Sequence, residues 1–235
     1  DTARASAAPA PQRADVTCFV GYVGRRRTPV PAEVIRDLRA AGWIDGPWRR
    51  DEAQVRALEQ VPVTVESWDA FDRLFDWRSR AVSSAGSGTC ATYLGAAVRR
   101  FFAQGGRRAI IVRAGNPWPY LEDGGGRAAN RLARIRPLLP TGAAAMPPFD
   151  STDPRTWRGM QHLYGLGDAS LICLPDLADA CAIDPPAPEA TLPLLPLSEG
   201  FVDCSDAEEA PQPDLALRRV QAPRCDTAGV QAWTE

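Results

Sequence analysis

Apolar positions along the chain fall into blocks with two different periods. Val16 to Val23, VTCFVGYV, is almost continuously apolar, rich in β-branched and aromatic residues, and ends at Gly24, which reads as a buried strand. Pro31 stands at a good first helical position, and Val34, Ile35 and Leu38 make one apolar face before Gly42. Asp51 suits the cap of a second short helix that turns Val55 and Leu58 inward. Val61 to Val65 reads as a strand, and Ser67 as the cap of a helix with Trp68, Phe71, Leu74 and Phe75 on one side. Asp72 and Arg73 face away from that side, and Arg80 to Thr89, RAVSSAGSGT, reads as a small-residue loop.

The clearest unit follows, Tyr93 to Gly115, YLGAAVRRFFAQGGRRAIIVRAG. Tyr93, Leu94, Ala97, Val98, Phe101 and Phe102 share one helical face, and Arg99 and Arg100 the other. Gly105 or Gly106 can take the left-handed conformation that ends a helix, and Ala109 to Val112 then reads as a strand buried on both faces, as in parallel sheets. Further on, Arg127 to Arg136 reads as an arginine-studded helix, and Asp153-Pro154 as cap and first residue of another that ends near Gly165. Ala169 to Leu174, ASLICL, reads as a second buried strand that Pro175-Asp176 turns off. Beyond a proline-dense stretch from Pro185 to Pro196, Gly200 to Ser205 predicts a strand and Leu215 to Gln221 an extended segment. Asp226 caps a last helix whose apolar face, Val230 and Trp233, is interrupted at Glu235.

Strands alternating with helices predict an α/β fold with helices flanking the sheet. The chain divides into an Ala/Pro-rich arm at 1–14, a core at 15–182, and a Pro-rich extension with the start of a further segment at 183–235.

Composition narrows the function. A net charge of −2 offers no basic field for nucleic acid, although all 27 basic residues are arginine. No apolar run approaches the roughly 20 residues that a membrane helix needs, and the DTARASAAPAPQR lead has no apolar core of a signal peptide. The six cysteines include no CxxC pair, and the lone His162 gives no zinc spacing, so neither metal nor other cofactor is expected. Cys18 and Cys173 lie in strand-like runs as small buried hydrophobes, which points to synthesis in a reducing cytoplasm.

Catalytic patterns are weak. His162 sits in MQHLYG with no G-x-S-x-G elbow anywhere, and reads as a surface or packing residue. GSGTC at Gly86 to Cys90 lacks the lysine and glycine spacing of a phosphate loop, and the triple glycine at Gly124 to Gly126 has no strand before it. Asp176, after a strand, is placed where α/β enzymes put a carboxylate, and equally where a strand simply turns. Seven tryptophans, several beside Pro or Gly, suit loop anchoring and interfaces.

The order of segments carries more information than any one of them. Phe19 to Gly21; Pro62, Val63, Ser67, Trp68, Phe71 and Phe75; Tyr93, Leu94, Ala97, Val98, Phe101, Phe102, Gly105, Gly106 and Arg108; and Leu171, Pro175 and Asp176 follow one another in a series that resembles the tail sheath proteins of contractile phages and phage-tail-like contractile injection systems. The resemblance spans roughly Val16 to Asp176. It implies a subtilisin-like sheath core with a mixed sheet and a structural role without catalysis. The chain would be a subunit of stacked hexameric rings around an inner tube, contracting to drive that tube through a target envelope. Its partners would be itself, the inner-tube protein and the baseplate and cap proteins, in a particle that stays in the bacterial cytoplasm or is released. Family members carry longer arms and a C-terminal domain that this sequence lacks, so the chain is either a portion of a longer subunit or a short paralogue, and the interrupted last helix favours a portion.

The candidate assembly surface is Arg99, Arg100, Arg107 and Arg108, which flank the helix-to-strand unit; solvated helix-end arginines are the equal alternative. The competing functional readings are a baseplate or cap component built on the same domain, and an α/β enzyme that uses Asp176 and His162.

Overall fold

The computed structural model describes residues 16–46, 48–86, 88–140 and 150–183, with 226, 227, 230 and 231 near the end of the chain. The arm at 1–14, the Gly200 to Ser205 and Leu215 to Gln221 segments, and Trp233 lie outside the described residues.

In chain order, Val16–Tyr22 forms β1, buried at every position, followed by a two-residue strand, β2 (Gly24–Arg25). Helix α1 (Ala32–Ala40) has Pro31 as its cap rather than in its first turn. Helix α2 (Glu52–Ala57) follows Asp51, whose N–H donates to the Gln54 side chain, and it ends at Leu58 in a left-handed conformation, φ 49°. Strand β3 (Val63–Val65) leads into α3 (Trp68–Leu74), where the Ser67 hydroxyl accepts from Ala70 N at 3.1 Å. Phe75 does not extend that helix but opens β4 (Phe75–Asp76), antiparallel to β2. The stretch expected as a loop is a hairpin, β5 (Arg80–Ala81) with β6 (Thr89–Cys90), and Arg80 is buried in it. Such two-residue strands leave no periodicity to read.

Thr92 caps α4 (Tyr93–Ala103), accepting from Gly95 N at 3.1 Å, and Gly105 at φ +87° turns the chain into β7 (Arg108–Gly115). Helix α5 (Gly124–Ile135) starts at the triple glycine, earlier than expected, because the Asp123 carboxylate accepts from Gly126 N at 2.7 Å. The helix expected after Asp153 is instead two 3₁₀ segments, Pro154–Thr156 and Gly159–Gly165. Asp153 and Pro154 do start the first, but Gly159, at φ +50°, interrupts the run. Strand β8 (Leu171–Cys173) and α6 (Leu177–Cys181) complete the core. Near the end, at the cap expected for a last helix, Val230 N donates to Asp226 O, and the Asp226 carboxylate accepts from Ile183 N at 2.8 Å.

The principal sheet has the order β3-β7-β1-β8, with β1 parallel to both β7 and β8 and β3 antiparallel to β7. The fold is therefore α/β with a mixed sheet. Alternate residues of β1 and β7 point to opposite faces, and both faces are covered. On one, Phe19, Val63, Val65, Ala109 and Ile111 meet Leu38, Phe71, Leu74, Leu94 and Val98 from α1, α3 and α4. On the other, Val16, Cys18, Val20, Ile110 and Val112 meet Trp118, Leu138, Leu177, Ala180 and Cys181. Each Val, Leu, Ile or Phe among these contributes about 1.5–3 kcal/mol by leaving water. Burial pushes the Cys18 thiol up to about 12, as suits an unreactive core residue. Strand β8 corrects the expectation of a second fully buried strand: it lies at the sheet edge, with Leu171 59% and Ile172 39% exposed. No helix among the described residues is long and apolar enough to cross a membrane.

Candidate functional site

Residues from the first three segments of the sheath pattern meet on one wall of the sheet, while Val20 packs on the other face and Leu171 lies exposed at the edge. Phe101 on α4 packs edge-on against Phe19 of β1, with ring centroids 5.5 Å apart. Two glycines make the close approaches: a Cβ at Gly95 would lie 2.3 Å from Trp77 Cβ, and one at Gly106 2.4 Å from Phe101. Trp68, Phe71, Phe75 and Trp77 form a continuous aromatic cluster beside α4, with Trp68 5.1 Å from Trp77. Asp72, expected to face away, accepts instead from Trp77 Nε1 at 2.8 Å and pairs with Arg26 at 2.9 Å.

The four candidate arginines differ in their surroundings. The Arg99 guanidinium lies over Trp77 and Trp68, 5.5 and 5.9 Å from the ring centroids, and is exposed. Arg108 pairs with Asp168 at 2.9 Å, tying the start of β7 to the turn before β8. Arg100 and Arg107 are exposed and form no ion pair among the described residues, so of the four they are the free cations.

A second polar centre sits at the C-terminal ends of the parallel strands, where open α/β sheets place their ligands. Asp176 is fully enclosed at the start of α6, and its Oδ2 accepts from Tyr22 N at 2.9 Å. Burial raises its carboxyl to about 7; the Tyr22 N–H and the Arg80 charge oppose that rise, and the Asp179 charge adds to it. Asp179, one helical turn on, takes Arg80 Nη2 on one oxygen at 2.7 Å and Arg127 Nη1 on the other at 2.9 Å. Arg80 also donates to Trp118 O at 2.9 Å and Arg127 to Tyr120 O at 2.9 Å. The Arg80 guanidinium is surrounded by Tyr93, Trp118 and Tyr120, at 5.2 to 5.5 Å from their ring centroids. Arg134 covers Trp118 at 4.4 Å, and the Tyr22 hydroxyl donates to Arg134 O at 2.8 Å. This arrangement clamps the hairpin, α5, α6 and the end of β1 together through matched charges and hydrogen bonds.

His162 belongs to neither centre. Its ring stands edge-on between Trp43 and Trp157, at 5.3 and 6.3 Å, and burial with the nearby charges of Arg50 and Arg158 pushes it down to about 3. The neighbours of His162 and those of Asp176 share no residue, so the structure does not bring the two together.

Sequence reasoning missed the Arg80–Asp179–Arg127 clamp because its partners are 99 and 52 residues apart and each arginine alone reads as solvated. One signal was present: Arg127 and Arg134 are seven residues apart, on one face of α5, the face toward the core.

No protein-family model, curated protein or solved structure matches the chain.

Proposed function

We propose that this chain is a structural sheath subunit of a contractile injection system, packing in hexameric rings around an inner tube and moving as a rigid unit when the sheath contracts. One observation carries the reading. From the first three segments of the sheath-like series, Phe19, Phe71, Phe75, Leu94 and Val98 belong to one core cluster, with Trp68, Phe101 and Phe102 packed on it. The buried clamp beside it, at the C-terminal end of β1, adds rigidity where a force-bearing subunit needs it. Arg100 and Arg107 supply charge to a neighbouring surface; exposed pairs contribute about 0–1 kcal/mol each, so they tune assembly rather than drive it. Heterologous contacts that close into rings and then stack are the assembly mode this requires.

The test is assembly of the full chain. Sedimentation velocity and negative-stain microscopy at rising concentration will show rings about a sixfold axis under this reading. A species that stays monomeric, with or without the inner-tube protein, overturns it.

A further inference from the structure

Among the described residues, β8 ends the principal sheet with apolar side chains in the open. Leu171 and Ile172 are successive, so they point to opposite faces of the sheet, and both are exposed. An uncovered apolar edge of this kind is a template for a further strand.

The connections of the sheet define which strand fits. The path from β1 to β7 runs over the face covered by α1, α3 and α4 and steps to one side. The path from β7 to β8 runs over the other face, through α5, and steps past β1 to the opposite side. Opposite faces with opposite steps give both crossovers one hand, and parallel crossovers are right-handed. Helix α6 leaves β8 on that second face too, with Leu177, Ala180 and Cys181 in its core. A parallel strand that follows α6 with the same hand steps in the same direction again, onto the free edge of β8.

Chain geometry holds such a strand close. The Asp226 carboxylate accepts from Ile183 N at 2.8 Å, so residues 184–225 leave and return beside the end of α6. Within them, Gly200 to Ser205 is the first strand expected from the sequence. Residues 184–199 precede it and reach about 50 Å when extended, enough to span the core. Phe201 and Val202 are successive bulky apolar residues, one for each face beside Leu171 and Ile172. Leu215 to Gln221 instead turns Arg218 and Arg219 to the two faces.

We infer that residues 200–205 add to the edge of β8 as a parallel strand of the same chain, closing that edge in cis instead of offering it to a second copy. Tethering at both ends favours the same chain, since it sets an effective concentration on the order of millimolar. Copies of the chain then meet elsewhere than at this edge. The closure does not depend on the sheath reading, because the sheet and its connections alone call for it.

The test uses the full chain. The amides of Leu171, Ile172 and Cys173 should all exchange at least about 100-fold more slowly than in an unstructured chain, because a strand paired on both sides leaves none free. A strand paired on one side leaves alternate amides open. Val202→Pro breaks the added strand and should return those alternate amides to within about tenfold of the unstructured rate. The amides of Ile110 to Val112 should stay protected in that variant, reporting a folded core. Leu217→Pro should leave β8 protected. Where Val202→Pro does not fold, photo-cross-linking from p-benzoylphenylalanine in place of Leu171 decides, and adducts to residues 200–205 within one chain are expected. Open alternate amides in the wild-type chain, protection of β8 that survives Val202→Pro in the folded protein, or adducts to residues 215–221 or between two chains overturns the proposal.

Discussion

Gly21 and Asp176, 155 positions apart, meet at one point: a Cβ on Gly21 would lie 2.3 Å from the Asp176 Oδ2 that accepts the next residue's N–H. The same Cβ would be 3.2 Å from Leu94 Cβ. The first and third segments of the sheath-like series and the carboxylate that ends its last therefore share a contact that admits no side chain. Gly21→Ala should lower stability by about 1–3 kcal/mol, as overpacking does, measured by urea unfolding. Asp176→Ala in the same background makes room for the methyl group and should reduce the penalty of the glycine change, a coupling that a double-mutant cycle reads directly.

Asp176 also sets a pH dependence. Its carboxyl titrates near 3.8 when unfolded and at about 7 when folded, so between those values the folded state holds more protons. Stability from this group is fully present below about pH 4 and is lost as pH rises through 7, by an amount on the order of 4 kcal/mol. His162 acts in the opposite sense: it titrates near 6.5 unfolded and about 3 folded, so its contribution is present above 6.5 and lost as pH falls. The two slopes oppose each other from pH 4 to 6.5. Asp176→Asn should leave a stability that rises monotonically with pH over that window, and unfolding free energies at pH 4.5, 6 and 8 check it.

Removing the anion that Arg80 and Arg127 share should be severe. Asp179→Ala leaves Arg80 and Arg127 buried without their carboxylate, and breaking such a pair typically costs about 3–5 kcal/mol. Thermal melting should fall well below that of Asp168→Ala, whose partner Arg108 is half-exposed and whose loss should change stability by at most about 1 kcal/mol. Equal effects of the two changes would contradict the structural role assigned to the clamp.

Arg100→Glu with Arg107→Glu should leave the melting temperature within error, since surface changes away from packing features usually stay within about 0.5 kcal/mol. Ring formation should weaken, and the wild-type assembly should be more salt-sensitive than that of the double variant. Sedimentation at low and high salt separates the two effects.

Much of this was legible along the chain, for local reasons. The unbroken apolar run of β1, the caps at Asp51 and Ser67, and the Gly105 turn each depend on neighbours a few residues away. The edge position of β8 was not legible, because an apolar tripeptide reads the same at an edge as in a sheet centre. Nor was the burial of Arg80, Arg127 and Asp179, whose charges are tolerated inside only because distant segments bring them together. His162 read as a packing or surface side chain, and it is a packed one, but its lack of a hydrogen-bond partner among the described residues is visible only in three dimensions.

The sheath reading is tested most directly on assembled particles from the producing cells, labelled with an antibody to this chain and imaged by electron microscopy. The account predicts label along the whole length of striated cylinders at a regular axial repeat. Label confined to one end of the particle, as a baseplate or cap component would give, or label on no particle at all, would contradict it.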